Sequence, residues 1–276
     1  MERVVIVLGG GGVKGLAHIG AWQALEESDL EVSGIVGTSI GALVGACLAG
    51  GMGWRDLVPL AMGLRRRDIV SLNGRALLLN GIRQSSLFHG HRLLELIRRL
   101  LPVEDYSGLE IPFAMNAVDL GSGQVEWFGT GGRTDHPLAE AIYASCALPL
   151  FYPPAELGGR YYVDGGVLDT LPLYYAKVLG ADRVIAIDVA AGADSIDGSE
   201  PISQGLIGVH SRVFEIMAHL RRHTQIEDWD GPPLLYIRPE LDGISAFDFS
   251  RSQYLLEEGY RATRRALAGW KEPAPT

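Results

Sequence analysis

The residues best placed to do chemistry lie in the pentapeptide Gly37-Thr38-Ser39-Ile40-Gly41. This G-x-S-x-G spacing is typical of a nucleophile elbow, a sharp strand-to-helix turn that exposes a serine oxygen. Glycines on both sides let the helix pack closely on the strand while the serine takes a strained backbone. The flanking elements fit, because a β-branched run from Val32 to Val36 precedes the turn and an Ala/Leu-rich stretch follows it. We therefore predict that Ser39 is a nucleophile.

Two other interpretations of this stretch are open. No charged residue occurs from Val32 to Trp54, and an apolar run of that length can indicate a transmembrane helix. Six glycines between Gly34 and Gly51 argue against a membrane span. The serine could also simply line a glycine-rich strand-to-helix turn, and the pentapeptide alone does not decide between that role and catalysis.

A second glycine-rich loop, Gly9 to Gly15, follows the apolar run Val4 to Leu8 and precedes a helical pattern. Its backbone amides at a helix start suit an anion. A dinucleotide site would require an acid at the end of the second strand, and a P-loop would require Gly-Lys-Ser or Gly-Lys-Thr; the chain has neither. A short crossover makes the first two strands parallel neighbours, so the amides of Gly10, Gly11 and Gly12 can face Ser39 as an oxyanion hole.

Asp164 ends a predicted strand, Arg160 to Val163, and is followed by Gly165-Gly166. An acid followed by glycines is often only a turn former, but strand ends are also where α/β enzymes place working residues. Apolar layers around this strand would partly desolvate the carboxylate and raise its pKa, as a general base requires.

Histidine must be weighed, because a Ser-His-Asp triad recurs on many folds. Among the seven histidines, we expect His18 to pack against the first turns of its own helix. We expect His210, His219 and His223, on a polar helix, to face solvent. None of the seven histidines has a sequence spacing that marks it as a catalytic base.

Composition narrows the class of protein. The 276 residues are 47% hydrophobic and 21% charged, which predicts one folded domain over 1–270 with a disordered tail at 271–276. The net charge of -9 argues against a nucleic-acid binder.

Cys47 and Cys146 are expected to be buried free thiols, and the first apolar run is too short for a signal peptide, so we predict a cytoplasmic protein. Metal-ligand patterns are missing, and no metal or cofactor is expected.

The remaining patterns give an alternating order of elements. Gly50 to Pro112 is predicted to be a helical excursion, and Ile111 to Val118 with Gln124 to Phe128 a hairpin. A further parallel strand is expected at Arg183 to Val189 and a last strand at Leu234 to Ile237. Three helices are also expected in the C-terminal half. They are Leu173 to Leu179, Leu206 to Arg222 and Ser250 to Leu267.

The glycine loop, the G-x-S-x-G pentapeptide and Asp164-Gly165-Gly166, in this order, resemble the patatin-like phospholipase family. The surroundings are similar too, including Lys14 to Gly20, Ala144 to Pro149 and Gly180 to Ala186. The resemblance implies an α/β fold with three α/β/α layers and a mostly parallel central sheet. It also implies a Ser-Asp dyad in which Ser39 is the nucleophile and Asp164 accepts its proton, beside an oxyanion hole of Gly10, Gly11 and Gly12.

One stretch departs from the family's pattern. Val167 to Pro172 reads Val-Leu-Asp-Thr-Leu-Pro, where relatives usually have an asparagine before Leu-Pro. We expect a local change in packing near Asp164 and no loss of chemistry.

The expected function is that of a serine acyl hydrolase, with phospholipid or lysophospholipid esters implied as substrates by the resemblance alone. One rival is a triad esterase with a histidine base. Another is a catalytically idle regulatory protein that binds an acyl or phosphate group in the glycine loop. Because the implied substrate lies in a bilayer, we also expect peripheral membrane contact through Leu77, Leu78, Leu79 and Phe88, with Arg65 to Arg67 attracting headgroups.

Overall fold

The computed structural model describes residues 2–28, 30–72, 84–190 and 197–270. Its strands are β1 (Val4–Leu8), β2 (Val32–Gly37), β3 (Phe113–Asp119), β4 (Val125–Gly129), β5 (Ala155–Leu157), β6 (Arg160–Asp164), β7 (Arg183–Ile187) and β8 (Leu234–Ile237). Its helices are α1 (Leu16–Glu26), α2 (Ile40–Ala49), α3 (Trp54–Gly63), α4 (Arg66–Ile69), α5 (Gly90–Leu100), α6 (Leu138–Cys146), α7 (Tyr175–Val178), α8 (Ser199–Ser203), α9 (Gly205–Glu227) and α10 (Ser252–Gly269).

All of these strands form one mixed sheet in the order β5-β6-β3-β2-β1-β7-β8, with β4 paired to β3. The strands β3, β2, β1, β7 and β8 are parallel. The strands β4, β5 and β6 are antiparallel to their neighbours. Helices cover both faces, so the predicted three-layer α/β/α fold with a mostly parallel central sheet is confirmed.

The parallel strands are buried on both faces because their side chains alternate between two apolar cores. Ile6 and Leu8 contribute to the larger core, which includes α1, α2 and α6. Val5 and Val7 contribute to a smaller core against α7. Such two-sided burial explains why Val4 to Leu8 is apolar throughout instead of alternating.

Helices α1 and α10 pack with their backbones in contact. A Cβ atom added to Gly20 would lie 1.9 Å from the Leu256 carbonyl oxygen, and one added to Gly259 would lie 1.9 Å from the Ala17 carbonyl oxygen. Only glycine fits at these reciprocal positions. The pair fixes α1, and with it the glycine loop that precedes α1.

The uncharged run from Val32 is divided into strand β2, the turn at Ser39 and helix α2. Among the described residues, no helix is both long enough and apolar enough to cross a bilayer. The predicted cytoplasmic location stays a prediction.

Three details differ from the sequence patterns. The short strand β5 was not predicted, and α7 covers only Tyr175–Val178 of the helix expected from Leu173. Strand β6 is antiparallel to β3, with Asp164 opposite Ala117, so Asp164 reaches the site from a strand that runs against the parallel set.

The predicted tail at 271–276 and the segment containing Leu77, Leu78 and Leu79 lie outside the described residues.

Candidate active site

Ser39 occupies a strained turn between β2 and α2. Its φ of 55° and ψ of -123° place a non-glycine residue in a region that costs about 1–3 kcal/mol. The Ser39 amide donates to the Ser145 hydroxyl at 2.9 Å, and Ser145 is fully buried at the end of α6. The elbow predicted from the pentapeptide is therefore present, and its backbone amide is held by an acceptor on a distant helix.

The glycines around Ser39 make this turn sterically possible. A Cβ atom on Gly37 would lie 2.4 Å from the Gly41 carbonyl oxygen, and one on Gly41 would lie 2.1 Å from the Leu8 carbonyl oxygen. Real Cβ atoms do not approach backbone so closely. The two glycines thus allow α2 to pack directly on β1 and β2, as the spacing predicts.

The Asp164 carboxylate lies directly beside Ser39. The Ser39 hydroxyl donates to Asp164 Oδ2 at 2.7 Å, and the Gly166 amide donates to Asp164 Oδ1 at 2.7 Å. Asp164 is only 3% exposed. This burial raises the pKa of Asp164 from 3.8 to about 6, although the hydrogen bonds from Ser39 and Gly166 oppose the rise. The direction agrees with the expectation from sequence.

A buried polar network holds the two sides of the site together. The Thr38 hydroxyl donates to Asn116 Oδ1 at 2.9 Å, and Asn116 Nδ2 donates to the Asp169 carbonyl at 3.0 Å. Asn116 lies on β3, between the elbow and the turn after Asp164. A Cβ atom on Gly165 would lie 2.1 Å from Asn116 Oδ1, so Gly165 gives this amide its room.

The glycine loop lies against the elbow, as predicted. A Cβ atom on Gly10 would lie 3.3 Å from Ser39 Cβ. Gly10 is buried, and its amide donates to the Thr170 carbonyl at 2.9 Å. Gly11 and Gly12 are half-buried, and among the hydrogen bonds between described residues their amides have no acceptor. Thr170 belongs to the stretch that departs from the family's pattern, and its role here is to fix the loop.

The loop tolerates no side chain at its two outer glycines. A Cβ atom on Gly11 would lie 2.8 Å from the Val189 carbonyl oxygen. Gly12 has a φ of +61°, and a Cβ atom there would lie 2.5 Å from the Ala246 carbonyl oxygen. The positions of these amides are therefore set by backbone packing.

Beneath the loop is a buried charged cluster that the sequence patterns did not reveal. Lys14 is 4% exposed, and burial lowers its pKa to about 8. Asp188 and Arg222 are also buried and form an ion pair at 3.0 Å, and the Tyr236 hydroxyl donates to Asp188 at 2.7 Å. Arg222 lies on α9, so this cluster joins α9 to the sheet beside the glycine loop.

Among the described residues, Ser39 hydrogen-bonds to the side chains of Ser145 and Asp164, and no histidine takes part in these hydrogen bonds. His18 is buried and uses Nε2 with the Gly9 carbonyl at 2.8 Å, and burial lowers its pKa to about 4. His18, in the first turn of α1, is thus held by the glycine loop that precedes the helix. His223 is exposed and pairs with Glu227, but His210 and His219 are half-buried, so the solvent-facing prediction is wrong for these two.

Both cysteines are free and buried, as predicted. Burial raises the pKa of the Cys47 thiol to about 12, and it also raises that of Cys146. Within the part of the chain that the structure describes, no three His, Cys, Asp or Glu side chains are grouped so that they could hold a metal ion.

Phe88 lies in an aromatic cluster instead of at the surface. It is 6% exposed, and its ring lies 5.6 Å from that of Tyr152 and 5.9 Å from that of Phe247. This burial contradicts the predicted contact of Phe88 with a membrane. Arg65 to Arg67 are exposed.

Sequence comparison finds a matching family and several relatives. The profile of the patatin-like phospholipase family matches residues 6–177. An uncharacterized NTE family protein of Mycobacterium tuberculosis is 36% identical over 198 residues, which cover 72% of this chain and 50% of that protein. Lysophospholipase NTE1 of Coccidioides immitis is 28% identical over 301 residues, covering 96% of this chain and 18% of that protein. The chain thus spans half or less of these curated relatives.

Comparison of structures supports the fold. VipD from Legionella pneumophila superposes with a TM-score of 0.53 at 17% identity, covering 97% of this chain and 66% of that chain. The family match spans more than half of the chain and includes the glycine loop, Ser39 and Asp164. It confirms the resemblance predicted from these motifs: the chain belongs to the patatin-like phospholipase family.

Proposed function

We propose that the protein is a lipolytic serine acyl hydrolase that uses a Ser-Asp dyad. The observation that carries this proposal is the 2.7 Å hydrogen bond from the Ser39 hydroxyl to the buried Asp164 carboxylate. It joins a nucleophile in a strained elbow to a group that can accept its proton. Family membership supports the enzyme class, a hydrolase of carboxylic esters.

In the first half of the reaction, Ser39 Oγ attacks the ester carbonyl carbon while its proton passes to Asp164 Oδ2. The carbonyl π electrons move to oxygen, and the amides of Gly11 and Gly12 stabilise that oxyanion. Gly10 belongs to the same predicted oxyanion hole, but its amide donates to Thr170. We therefore assign the donor role to the two outer glycines and a positioning role to Gly10.

The tetrahedral intermediate then collapses, the ester C–O bond breaks, and protonated Asp164 returns its proton to the leaving alcohol. In the second half, Asp164 takes a proton from water as the water oxygen attacks the acyl-serine carbonyl. Collapse of that intermediate breaks the bond between the carbonyl carbon and Ser39 Oγ, which takes the proton back from Asp164 as the fatty acid is released. Atoms and charges balance without a further co-reactant.

A carboxylate of ordinary pKa is a weak base toward an alcohol. Burial raises the pKa of Asp164 to about 6, so Asp164 remains ionised at neutral pH and is a stronger base than an exposed aspartate. The hydrogen bond from Gly166 holds the second carboxylate oxygen. It orients Oδ2 toward Ser39, the orienting role that a third residue has in a triad.

The proposed substrate class is a phospholipid or lysophospholipid acyl ester. It is supported by the family's name and by the relative named lysophospholipase NTE1. The triad rival is less well supported, because His18, the histidine next to the glycine loop, is buried and engaged with Gly9. The idle-binder rival does not account for the strained elbow and the Ser39–Asp164 hydrogen bond.

Covalent labelling tests the proposal. A fluorophosphonate probe should label the wild-type protein on Ser39, and Ser39→Ala should lose both labelling and ester hydrolysis while remaining folded by circular dichroism. Ser33→Ala is the matched control, since Ser33 has a partly buried hydroxyl on β2, the strand that leads into the Ser39 turn, and should leave labelling unchanged. An idle binding protein would give no adduct on Ser39, and near-wild-type turnover by Ser39→Ala would place the nucleophile elsewhere.

A further inference from the structure

The outer face of α9 (Gly205–Glu227) carries a continuous stripe of exposed apolar side chains. Its members recur at intervals of three and four residues, which places them on one face of the helix. They are Leu206, Val209, Val213, Ile216, Met217 and Leu220. Leu206, Met217 and Leu220 are 85%, 61% and 67% exposed. A contiguous exposed apolar patch of this kind typically marks an interaction surface.

The opposite face of α9 already holds the helix in place. Arg222 forms the buried ion pair with Asp188, and Gln225 Nε2 donates to Asp169 at 3.1 Å. The Phe214 ring lies 3.7 Å from where a Cβ atom on Gly166 would be. The apolar stripe is therefore not needed to attach α9, and α9 contacts the turn that positions Asp164.

The positions beside the stripe carry basic or neutral side chains. α9 has three arginines and two acids, Glu215 and Glu227. Glu227 lies beyond the end of the stripe, where it pairs with His223. Successive residues turn by about 100° on a helix, so His210 and Arg221 flank the stripe on one side and Arg212 and His219 on the other. Glu215 lies behind the stripe, where it pairs with Arg212 at 3.6 Å and raises the pKa of Lys14 against the effect of burial.

This charge pattern distinguishes two occupants of the stripe. Leu206, Val209, Val213, Ile216 and Leu220 follow the spacing of a coiled-coil seam, which would suit a second copy of the chain. The flanking positions of that seam are His210, Arg212, Met217 and His219, and none is acidic. Two copies would bring basic flanks together, whereas anionic headgroups would attract them.

We propose that α9 is an interfacial helix that seats the protein on an anionic lipid surface. The stripe enters the boundary between headgroups and acyl chains, and the basic flanks lie among the headgroups. The role of this contact rests on the proposed function. The acyl ester of a phospholipid lies at the boundary between headgroups and acyl chains, where the stripe would insert. Since the opposite face of α9 packs on the turn after Asp164, the contact places the bilayer surface one helix diameter, roughly 10 Å, from that turn.

Vesicle partitioning tests the stripe independently of catalysis. Full-length Ser39→Ala protein, which cannot consume the vesicles, is mixed with phosphatidylcholine vesicles or with vesicles that also contain phosphatidylglycerol. Leu206→Ser/Leu220→Ser is compared with Leu120→Ser/Val178→Ser in the same background. The control pair also removes two apolar side chains that are more than half exposed, because Leu120 and Val178 are 58% and 59% exposed, and both lie outside α9.

Protein with an unsubstituted α9 should partition more strongly into anionic than into zwitterionic vesicles. Added salt should reduce this preference for anionic vesicles. Leu206→Ser/Leu220→Ser should lower the anionic partition coefficient by about 10-fold or more, and the control pair should change it by less than about 2-fold. With Ser39 intact, both pairs should hydrolyse a soluble monomeric ester at the wild-type rate, which shows that they are folded.

Equal partitioning of the two pairs would overturn the proposal, as would wild-type protein that floats with neither kind of vesicle. A concentration-dependent dimer that Leu206→Ser/Leu220→Ser dissociates, without vesicle binding, would assign the stripe to a second copy. Failure of fluorophosphonate labelling would instead overturn the acyl-hydrolase function and leave the partitioning result standing.

Discussion

The two halves of the site are built by different physical means. On the β1–β2 side, backbone packing decides the geometry, because a Cβ atom on Gly12, Gly37 or Gly41 would lie within 2.5 Å of a carbonyl oxygen. On the β6 side, burial decides the chemistry, because it raises the pKa of Asp164 to about 6. One half positions atoms and the other sets the basicity of a carboxylate.

This difference implies two kinds of sensitivity. Added volume should disrupt the glycine half, even when the substitution is only a methyl group. In the Asp164 half, an isosteric substitution such as Asp164→Asn should leave the protein folded but remove the proposed base. The predictions that follow separate steric from electrostatic effects at the same site.

The largest effect in the glycine half is expected from Gly12→Ala. The new Cβ would lie 2.5 Å from the Ala246 carbonyl oxygen, and moving the loop would displace its oxyanion donors. If the loop supplies the proposed oxyanion donors, turnover of a soluble ester should fall on the order of 10²–10³-fold. Gly123→Ala is the control, because Gly123 has a similar φ of +68° with no atom within 4 Å of the added Cβ. Equal losses in the two variants would show that backbone strain, not loop position, causes the effect.

A smaller effect is expected from Ser145→Ala. Without the Ser145 hydroxyl, the Ser39 amide loses its 2.9 Å acceptor, and the elbow loses one of the contacts that hold it. We expect kcat and the fluorophosphonate labelling rate to fall by roughly 10-fold, with KM nearly unchanged. Ser86→Ala removes another buried serine hydroxyl, one that donates to Phe88. A change in unfolding free energy alone, shared by both variants, would leave Ser145 without a positioning role.

The smallest effect concerns stability in the Asp164 half. Because folding raises the pKa of Asp164 from 3.8 to about 6, its ionised form costs stability above pH 6, and the cost disappears below about pH 4. Asp164→Asn keeps one oxygen as the acceptor for Gly166 and presents an amide NH2 that can donate to Ser39 Oγ. This variant should gain about 1–3 kcal/mol at pH 8. Thermal unfolding at pH 8 and pH 4 measures this gain, which should be absent at pH 4. A gain that is the same at both pH values would contradict the burial of a charged carboxylate.

Local motifs predicted much of the site. The turn at Ser39 and the glycine loop each need only a strand, a few glycines and a helix, so their geometry follows from adjacent residues. The short crossover between β1 and β2 then places the two motifs side by side. Asp164 was found through the family resemblance and its place at a strand end.

Contacts between distant segments could not be predicted in the same way. The antiparallel direction of β6 depends on its pairing with β3, and the Ser145 and Thr170 contacts join segments more than 100 residues apart in the chain. The burial of Lys14 depends on α9, more than 180 residues later in the chain. The exposed face of α9 looks from sequence like the core-facing stripe of any amphipathic helix, and only the structure shows that it lacks a covering element in the described residues.

The identity of the base is tested most directly by comparing Asp164→Asn with single His→Gln variants at positions 18, 89, 91, 136, 210, 219 and 223. Hydrolysis of a soluble ester is measured for each folded variant. The dyad predicts that Asp164→Asn falls nearly to the level of Ser39→Ala, because its amide cannot accept the Ser39 proton, while every histidine variant keeps substantial activity. A folded histidine variant as inactive as Ser39→Ala, together with continued turnover by Asp164→Asn, would contradict the dyad and assign the reaction to a histidine base.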